Sequence, residues 1–493
     1  MKNKFTKNII WGFGGQFIII ALGIIIPRIM ITKYGSDTNG LISTIGQIFT
    51  YMALLEAGIG QATKIALYKP ISENNNKDFS YIVSIANRYY KRISVYYGIC
   101  VLALSFALPF VIKTTLSYWT VFFVVLFEGM SGVVSFLFLQ TKRSILFASG
   151  KGYINNGTDV TNKTISYIVK ILMALLKANI VFLQFAYFIL TLLKICFYIY
   201  YFRKNYSWID YKSAPKDAKL QNRNSFIITE IAWTIFSSTD MIVLSIFLST
   251  KLSSVYAIYN LVFVNINSLL SAMYNSLNYL LGQTYFENKE KYIKIHDTYN
   301  SVFFGGMTTL MCISYMLTIP FVKLYTKNVT DVEYVISSLP FLFCMVQILS
   351  WSRYISGNLS GIAGYAKPTS IVSFVEALLN ISLSIILVRK FGIVGVLAAT
   401  VLALPLKIVY LTILSDRVVL KRSCWYTLKI MFANFGLFAA TVVLNNFVVL
   451  NIETYGQFII HGIALTFIYG IIGFLVNFAA NHEFIKVLKT IKK

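Results

Sequence analysis

Fourteen stretches of about 20 mostly apolar residues run through the 493-residue chain and constrain its fold more than any other feature. A helix that crosses the ~30 Å hydrocarbon layer of a membrane needs roughly 20 such residues, because lipid offers the backbone no hydrogen-bond partners. The sequence therefore predicts an all-α polytopic membrane protein with about 14 transmembrane helices. The predicted spans are 9–31, 41–66, 84–112, 115–140, 153–176, 179–202, 225–248, 255–282, 298–322, 332–356, 368–388, 392–415, 427–449 and 456–479.

The Lys and Arg residues of the connections lie mostly on one side of the predicted membrane. If the first span starts inside, the inner loops and tails hold most of them, as cytoplasmic loops do. We therefore expect a multi-pass protein of a bacterial cytoplasmic membrane with both termini in the cytoplasm. The net charge of +25 then reflects this bias and an affinity for membrane lipids, and no nucleic-acid partner is expected.

Sequence motifs of soluble enzymes are missing from the chain. There is no GxxxxGK[ST] phosphate loop, no HExxH and no nucleophile elbow, and the three histidines are far apart. The five cysteines are scattered without CxxC spacing. We expect a protein that is not an enzyme, with no cofactor, no metal site and no disulfide.

Two short motifs recur at nearly the same distance and predict an internal repeat. Pro109-Phe110-Val111 returns 211 residues later as Pro320-Phe321-Val322, and the segment 147–153 aligns with 359–365 at an offset of 212. Each copy holds six spans, so both copies enter the membrane in the same orientation, related by a pseudo-two-fold axis along its normal. The predicted domains are an N-lobe at 1–205, a cytoplasmic linker at 206–224, a C-lobe at 225–418, and spans 13 and 14 with a cytoplasmic tail at 419–493.

The fifth span carries a polar stripe on one helical face. Its members recur at intervals of three, four or seven residues: Asn155, Asp159, Asn162, Lys163, Ser166, Lys170 and Lys177. This pattern predicts a wet, cationic face, with Lys163 about 15 Å inside the span. The alternative is that Asp159 and Lys163 form an ion pair, four residues apart, while Lys170 and Lys177 extend their ammonium groups toward the membrane surface.

Polar residues in other spans are further candidates for cargo binding. Arg28 in span one presents a fork of donors suited to phosphate, or else it reaches the lipid head groups from the end of its span. Asn260 and Asn267 share one face of span eight, where Asn can bind sugar hydroxyls or join neighbouring helices.

Four carboxylates lie within predicted spans: Glu56, Glu128, Asp240 and Glu376. A carboxylate at membrane depth is protonated, paired with a cation, or part of an ion-coupling site. We expect structural pairing for Glu128 and leave the alternatives open for Glu56 and Asp240.

Several loose sequence blocks resemble bacterial polysaccharide transporters, the O-antigen and capsule (Wzx-type) flippases of the multidrug/oligosaccharidyl-lipid/polysaccharide exporter group. The blocks cover spans one to twelve and are Pro27-Arg28 through Tyr34-Gly35, Asn39-Gly40-Leu41, Glu56-Ala57-Gly58-Ile59-Gly60, Asp240 with Val255-Tyr256-Ala257, Gly361 to Lys367, Glu376-Ala377-Leu378-Leu379-Asn380, and Gly392-Ile393-Val394-Gly395-Val396. The resemblance implies two pseudo-symmetric six-helix lobes around a central cavity that opens alternately to either side. Here a C-terminal helix pair follows them.

The same resemblance implies a function and a cargo. The lipid flippases of this group use a cationic cavity for the diphosphate of a polyprenyl-linked sugar, and the carried-over residue is Arg28. The sequence thus favours a flippase for undecaprenyl-diphosphate-linked oligosaccharide, coupled to a proton or sodium gradient if at all. Other polysaccharide-assembly proteins would be its partners.

Three rival interpretations remain. A peptidoglycan-precursor (lipid II) flippase would share the fold and the diphosphate. A multidrug/cation antiporter would need an acidic or aromatic cavity, against which the Lys-rich span five argues. A membrane glycosyltransferase or polymerase would need catalytic acids and long outer loops.

Overall fold

The computed structural model describes residues 15–56, 59–215, 239–287, 289–448 and 450–481. All regular structure within these ranges is helical, which confirms the predicted all-α class. The chain forms two compact units, Met1–Ser254 and Val255–Lys493, called here the first and second unit.

The helices of the first unit follow the predicted spans one to seven, except that predicted span two, 41–66, is divided: one helix ends at Met52 and the next begins at Ile59. They are α1 Gly15–Met52, α2 Ile59–Ser72, α3 Asn76–Val111, α4 Tyr118–Phe138, α5 Gln140–Ala148, α6 Gly152–Leu175, α7 Ile180–Asn205 and α8, of which residues 239–247 are described. A 3₁₀ turn at Ala53–Glu56 follows α1. The first part of the predicted seventh span, 225–238, lies outside the described residues.

The helices of the second unit follow spans eight to fourteen. They are α9 Thr250–Glu287, which begins in the first unit, α10 Lys289–Tyr325, α11 Leu339–Ser352, α12 Tyr354–Ile362, α13 Ala366–Ile413, α14 Trp425–Leu444 and α15 Tyr455–Ala480. A π-helical turn, Leu414–Val419, follows α13.

Eight helical stretches in the described part of the chain are long and apolar enough to cross a membrane. Their outward surfaces carry large hydrophobic side chains; on α15, for example, Phe467 is 70% exposed and Ile460 67%. A surface this apolar is unfavourable in water but suits a helix in contact with lipid. The protein therefore has a multi-pass membrane fold.

Glycine breaks separate the paired spans that run together in α1 and α13. The breaks lie at Gly35 (φ 83°) and Gly392 (φ 58°), where positive φ is easily adopted only by glycine. In α13, Asn380 Nδ2 donates to Thr400 Oγ1 at 2.8 Å although 20 residues separate them. An unbroken helix would hold them about 30 Å apart, so the chain reverses at Gly392 and spans eleven and twelve are separate, as predicted.

The internal repeat is visible in the local structure of the two units. α4 is followed by the nine-residue α5, and α11 by the nine-residue α12. Both short helices end in the same turn, in which the N–H of Lys151 donates to Leu146 O and that of Tyr365 to Ser360 O, each at 2.8 Å.

The matching turns correct the register of the predicted repeat. Gly150 (φ 70°) and Gly364 (φ 85°) occupy the same position in their turns and are 214 residues apart. The alignment of 147–153 with 359–365 at an offset of 212 was therefore wrong by two residues, because it matched Gly152 with Gly364 on local sequence alone.

The described part of the predicted linker packs on α3. The N–H of Asp210 donates to Ser80 Oγ and that of Ala214 to Ser84 Oγ, while the Arg88 guanidinium donates to Ala214 O at 2.7 Å. Residues 216–224 lie outside the described ranges. The division into lobes at this linker stays a prediction.

The C-terminal helix pair packs on α10. Asn434 of α14 and Asn477 of α15 exchange side-chain hydrogen bonds of 2.8 and 3.1 Å. Asn477 also lies against Gly305 of α10, where a Cβ atom would meet its amide at 2.7 Å. Small residues and buried amides of this kind join helices inside membranes.

Candidate functional site

Helix α6 has two accessible faces of opposite character. One is apolar and includes Ile168, 48% exposed, and Leu172, 53% exposed. The predicted polar stripe lies on the opposite face, where Lys163 is exposed and Asp159 and Lys170 are half-buried. The pattern fits a helix with lipid on one side and a polar medium on the other.

Asp159 is bound by two cations from neighbouring helices. Arg143 of α5 donates from Nη1 to Oδ1 at 2.9 Å and from Nη2 to Oδ2 at 2.6 Å, and Lys194 Nζ of α7 lies 2.5 Å from Oδ1. The alternative ion pair between Asp159 and Lys163 is not the one formed. Sequence analysis missed Arg143, which it assigned to a cytoplasmic connection, and Lys194.

A buried hydrogen-bond network fixes the backbone around this ion pair. Asn155 Nδ2 of α6 donates to the carbonyl oxygen of Arg143 at 3.0 Å, and Tyr198 OH of α7 donates to Asn155 Oδ1 at 2.9 Å. Thr158 shares a 2.9 Å hydrogen bond with the same tyrosine. Three helices are thus tied together at the level of Arg143 and Asp159.

Lys163 is the most accessible cation of the group. In the described parts of the chain it makes no ion pair within 4 Å, and it lies close enough to Lys194 for the two ammonium groups to repel each other. An uncompensated cation of this kind is available to an anionic ligand.

Lys170 lies in a second polar cluster on the same face. Its ammonium group lies 5.1 Å from the centre of the Tyr187 ring and interacts with Glu128 of α4. Glu128 also accepts a 2.8 Å hydrogen bond from Gln184 Nε2 of α7. These contacts connect α4, α6 and α7, but in the described residues no cation lies within 4 Å of the Glu128 carboxylate, so its structural pairing stays a prediction.

Arg28 and Glu56 lie on elements close to this face. The first arm of α1 packs on α6, with Ile26, Met30 and Tyr167 in one hydrophobic cluster, and Arg28 is half-buried on this arm. Glu56 accepts a 2.9 Å hydrogen bond from Tyr90 OH and is near enough to Arg143 for electrostatic attraction.

The remaining candidates, Asp240, Asn260 and Asn267, lie on other helices. Asp240 is half-buried on α8 beside Thr239, whose hydroxyl bonds to Tyr51 OH of α1. Asn260 and Asn267 are half-buried on α9 in the second unit, where Trp351 Nε1 of α11 donates to Asn267 Oδ1 at 2.7 Å. Their roles in cargo binding stay predictions.

A carboxylate that sequence analysis missed lies at the break in α1. Asp37 Oδ2 accepts hydrogen bonds from the N–H and the hydroxyl of Thr115, at 2.7 and 2.6 Å, and from the Thr114 hydroxyl at 2.8 Å. The Thr250 hydroxyl bonds to its other oxygen. With this many donors from the α3–α4 connection and α9, Asp37 is a structural joint.

The second unit contains a comparable ion pair, also missed. Arg353, between α11 and α12, binds Glu376 of α13 through Nη1 and Oε1, and Lys407 of the same helix interacts with both. A further pair joins Arg422 to Asp297 through two hydrogen bonds of 2.7 Å.

Comparison with known proteins identifies the fold. No family model and no curated protein matches this chain. Among solved structures, it is similar to a lipid II flippase MurJ in an inward closed conformation, with a TM-score of 0.66, 14% identity, 94% of this chain and 98% of that chain covered.

Two multidrug transporters are also similar to it. An inward-facing multidrug resistance MATE family transporter of the MOP superfamily gives a TM-score of 0.64 at 13% identity, over 86% of this chain and 95% of that one. The MATE multidrug transporter DinF-BH gives 0.59 at 16%, over 86% and 97%. At these identities the likeness shows the fold alone, which the chain shares with these flippase and multidrug transporters.

Proposed function

We propose that the protein is a flippase that moves a polyprenyl-diphosphate-linked oligosaccharide from the inner to the outer leaflet of a bacterial cytoplasmic membrane by alternating access. A sugar head group with two phosphates does not cross hydrocarbon unaided, because its desolvation is too costly. The protein would supply a polar surface for the head group while the lipid tail stays in the bilayer. The MOP-type fold supports the class, and the charge of α6 and its neighbours supports the cargo.

The observation that carries this proposal is the cationic face around α6. Arg143, Lys163 and Lys194 lie close together, with Asp159 and Glu56 as the nearby carboxylates. Three cations against two anions leave a net positive charge. Charge at membrane depth is expensive, so such an excess in a transporter points to an anionic cargo.

The same charge balance argues against one of the rival functions. A multidrug/cation antiporter would meet repulsion from Lys163, which is exposed and has no carboxylate within 4 Å in the described residues. A lipid II flippase would carry the same diphosphate and fits the site equally well. The oligosaccharide-lipid cargo is favoured by the sequence blocks that resemble polysaccharide transporters.

The membrane orientation and the energy source belong to the same proposal. Both termini would be cytoplasmic, and transport would need two conformations that differ by only a few kcal/mol, so that cargo or a coupled proton or sodium ion can shift their populations. Membrane lipids and other polysaccharide-assembly proteins would be its partners.

Three complementation assays test the cargo. The protein is expressed in a strain without its own O-antigen or capsule flippase, in a strain depleted of its lipid II flippase, and in a drug-sensitive strain exposed to a cationic dye. We expect surface polysaccharide to return in the first strain alone. Growth of the second strain would reassign the cargo to lipid II, and dye resistance in the third with no rescue of the others would reject the proposal.

A further inference from the structure

The ion pair of Arg143 and Lys194 with Asp159 leaves most of its hydrogen-bond donors unused. A guanidinium group has five N–H donors and an ammonium group has three. Arg143 uses two of them on Asp159 and Lys194 uses one, and neither side chain makes another hydrogen bond within the described residues. Two cations thus share one carboxylate and retain donors for a second anion.

The second unit contains the same combination of residue types around a buried arginine–carboxylate pair, beside which the lysine is half-buried. There the arginine is Arg353, the carboxylate is Glu376 and the lysine is Lys407, from the helices that correspond to those of Arg143, Asp159 and Lys194. The sequence separation between arginine and carboxylate is 23 residues in the second unit and 16 in the first. Each partner in the second unit therefore lies about one helical turn further from the connecting turn.

This difference in position accompanies a difference in accessibility. The Arg353 and Glu376 side chains are 7% and 3% exposed, whereas those of Arg143, Asp159 and Lys194 are 32%, 28% and 14% exposed. A buried ion pair that no ligand can reach serves packing alone. The first-unit ion pair is partly accessible, and the exposed Lys163 is near enough to Lys194 to interact with it electrostatically.

We propose that Arg143 and Lys194 form a diphosphate subsite, with Asp159 as a built-in counter-ion that holds both cations in place when cargo is absent and competes with cargo when it binds. This inference rests on the proposed function. It adds Arg143 and Lys194 as cations that bind the diphosphate, and it removes Asp159 from the residues that bind cargo. Asp159 does not bind cargo; it weakens cargo binding enough to permit release.

Direct binding to the purified full-length protein in detergent tests this subsite. The probes are inorganic pyrophosphate and farnesyl diphosphate, measured by calorimetry, with sulfate for comparison. We expect Lys194→Gln to weaken binding of the diphosphates by about tenfold or more, because a hydrogen bond between charged groups is lost. Lys194→Arg should restore it, and Asp159→Asn should strengthen it several-fold.

Lys407→Gln is the matched control, because it removes the corresponding lysine beside the buried Arg353–Glu376 pair of the second unit. We expect its diphosphate affinity to stay within about twofold of the wild type. Size-exclusion profiles of all variants show whether the fold is retained. If Lys194→Gln fails to fold, the diphosphate affinity of Asp159→Asn decides whether the subsite exists. A purely structural Asp159 predicts no increase in this affinity when it is replaced.

The outcomes separate the subsite from the proposed function. Tighter binding of farnesyl diphosphate than pyrophosphate supports a lipid-linked ligand at the subsite, and equal binding supports a free diphosphate there. No diphosphate binding, no effect of Lys194→Gln, or weaker binding by Asp159→Asn overturns the subsite. Binding that depends on Lys194 in a protein that does not restore surface polysaccharide would instead reject the proposed function and keep the subsite.

Discussion

Arg143 binds Asp159 through two parallel hydrogen bonds, and in doing so links the short helix α5 to the middle of α6. The arginine belongs to the nine-residue helix that continues α4, so the contact spans two helices that are consecutive in the chain. Such a bidentate geometry fixes the orientation of both side chains. It also removes Asp159 as a partner for Lys163, which leaves the Lys163 ammonium group for an anionic cargo.

Replacement of Lys163 tests whether its ammonium group binds an anionic cargo. We expect Lys163→Ala to abolish most transport while the amount of protein in the membrane stays near normal. An exposed lysine adds little to folding when, as among the residues that the structure describes, it has no ion-pair partner. The measurement is surface polysaccharide in the complemented flippase-deficient strain, normalised to membrane protein. Lys33→Ala is the matched control, because Lys33 is also exposed but lies on α1. We expect this variant to leave surface polysaccharide unchanged.

The double variant Asp159→Ala with Lys163→Ala distinguishes this role from a buried ion pair. Because Asp159 is held by Arg143 and Lys194, removing it should not restore the activity lost with Lys163. Recovery of transport in the double variant, without any gain of diphosphate binding in Asp159→Ala alone, would contradict the cargo role of Lys163.

Two variants of Arg28 test whether the geometry of its side chain matters as well as its charge. A guanidinium group binds phosphate through two parallel hydrogen bonds, whereas an ammonium group acts as a point charge, so Arg28→Lys should impair transport if Arg28 binds the diphosphate. Arg28→Gln should be at least as severe. Wild-type polysaccharide from both variants would remove Arg28 from the site and leave the cations around α6.

The two arginine–carboxylate pairs should differ in their effect on stability. Loss of one partner from the buried Arg353–Glu376 pair costs about 3–5 kcal/mol, whereas the half-exposed Asp159 contributes closer to ~1 kcal/mol. Glu376→Gln should therefore lower the thermal midpoint of the purified protein well below that of Asp159→Asn. The double variant Arg353→Met with Glu376→Leu should recover most of the loss, and equal midpoints for the two single variants would refute the distinction.

The predicted orientation is open to a labelling experiment. A cysteine introduced at Lys493, in a background from which the native cysteines have been removed, should react with a membrane-impermeant maleimide only after the cells are opened. Asymmetric loop charge is the physical reason for this expectation. Reaction in intact cells would place the C-terminus outside and require an odd number of spans.

The helices were predictable because the bilayer imposes a simple rule on the sequence. Long apolar runs gave the span positions, and the polar stripe of α6 was visible from helical spacing alone. The break at Gly35 lies in the predicted gap between spans one and two, and the break at Gly392 falls on the first residue of predicted span twelve. The register of the repeat was missed by two residues, since positive φ at Gly150 and Gly364 leaves no distinctive pattern in the sequence.

The partners of the polar residues were not predictable in the same way. Asp159 and Lys163 share a helical face, so their spacing suggested an ion pair between them. In the structure, Arg143 binds Asp159 from another helix. Only packing of α5, α6 and α7 decides between such contacts. A usable signal existed in Lys194, a lone lysine inside an otherwise apolar span, which required a buried partner.

A flipping assay with the purified protein is the most direct measurement of all. Proteoliposomes would carry a fluorescent undecaprenyl-diphosphate-linked oligosaccharide, and a membrane-impermeant quencher would report the fraction in the outer leaflet over time. We predict rapid loss of nearly all fluorescence with the wild-type protein and of only about half with Lys163→Ala or with protein-free vesicles, in which the inner leaflet stays protected. Equal protection of the inner leaflet in wild-type proteoliposomes and empty vesicles, at equal reconstitution and with any required proton or sodium gradient imposed, would contradict the assignment of this protein as a flippase.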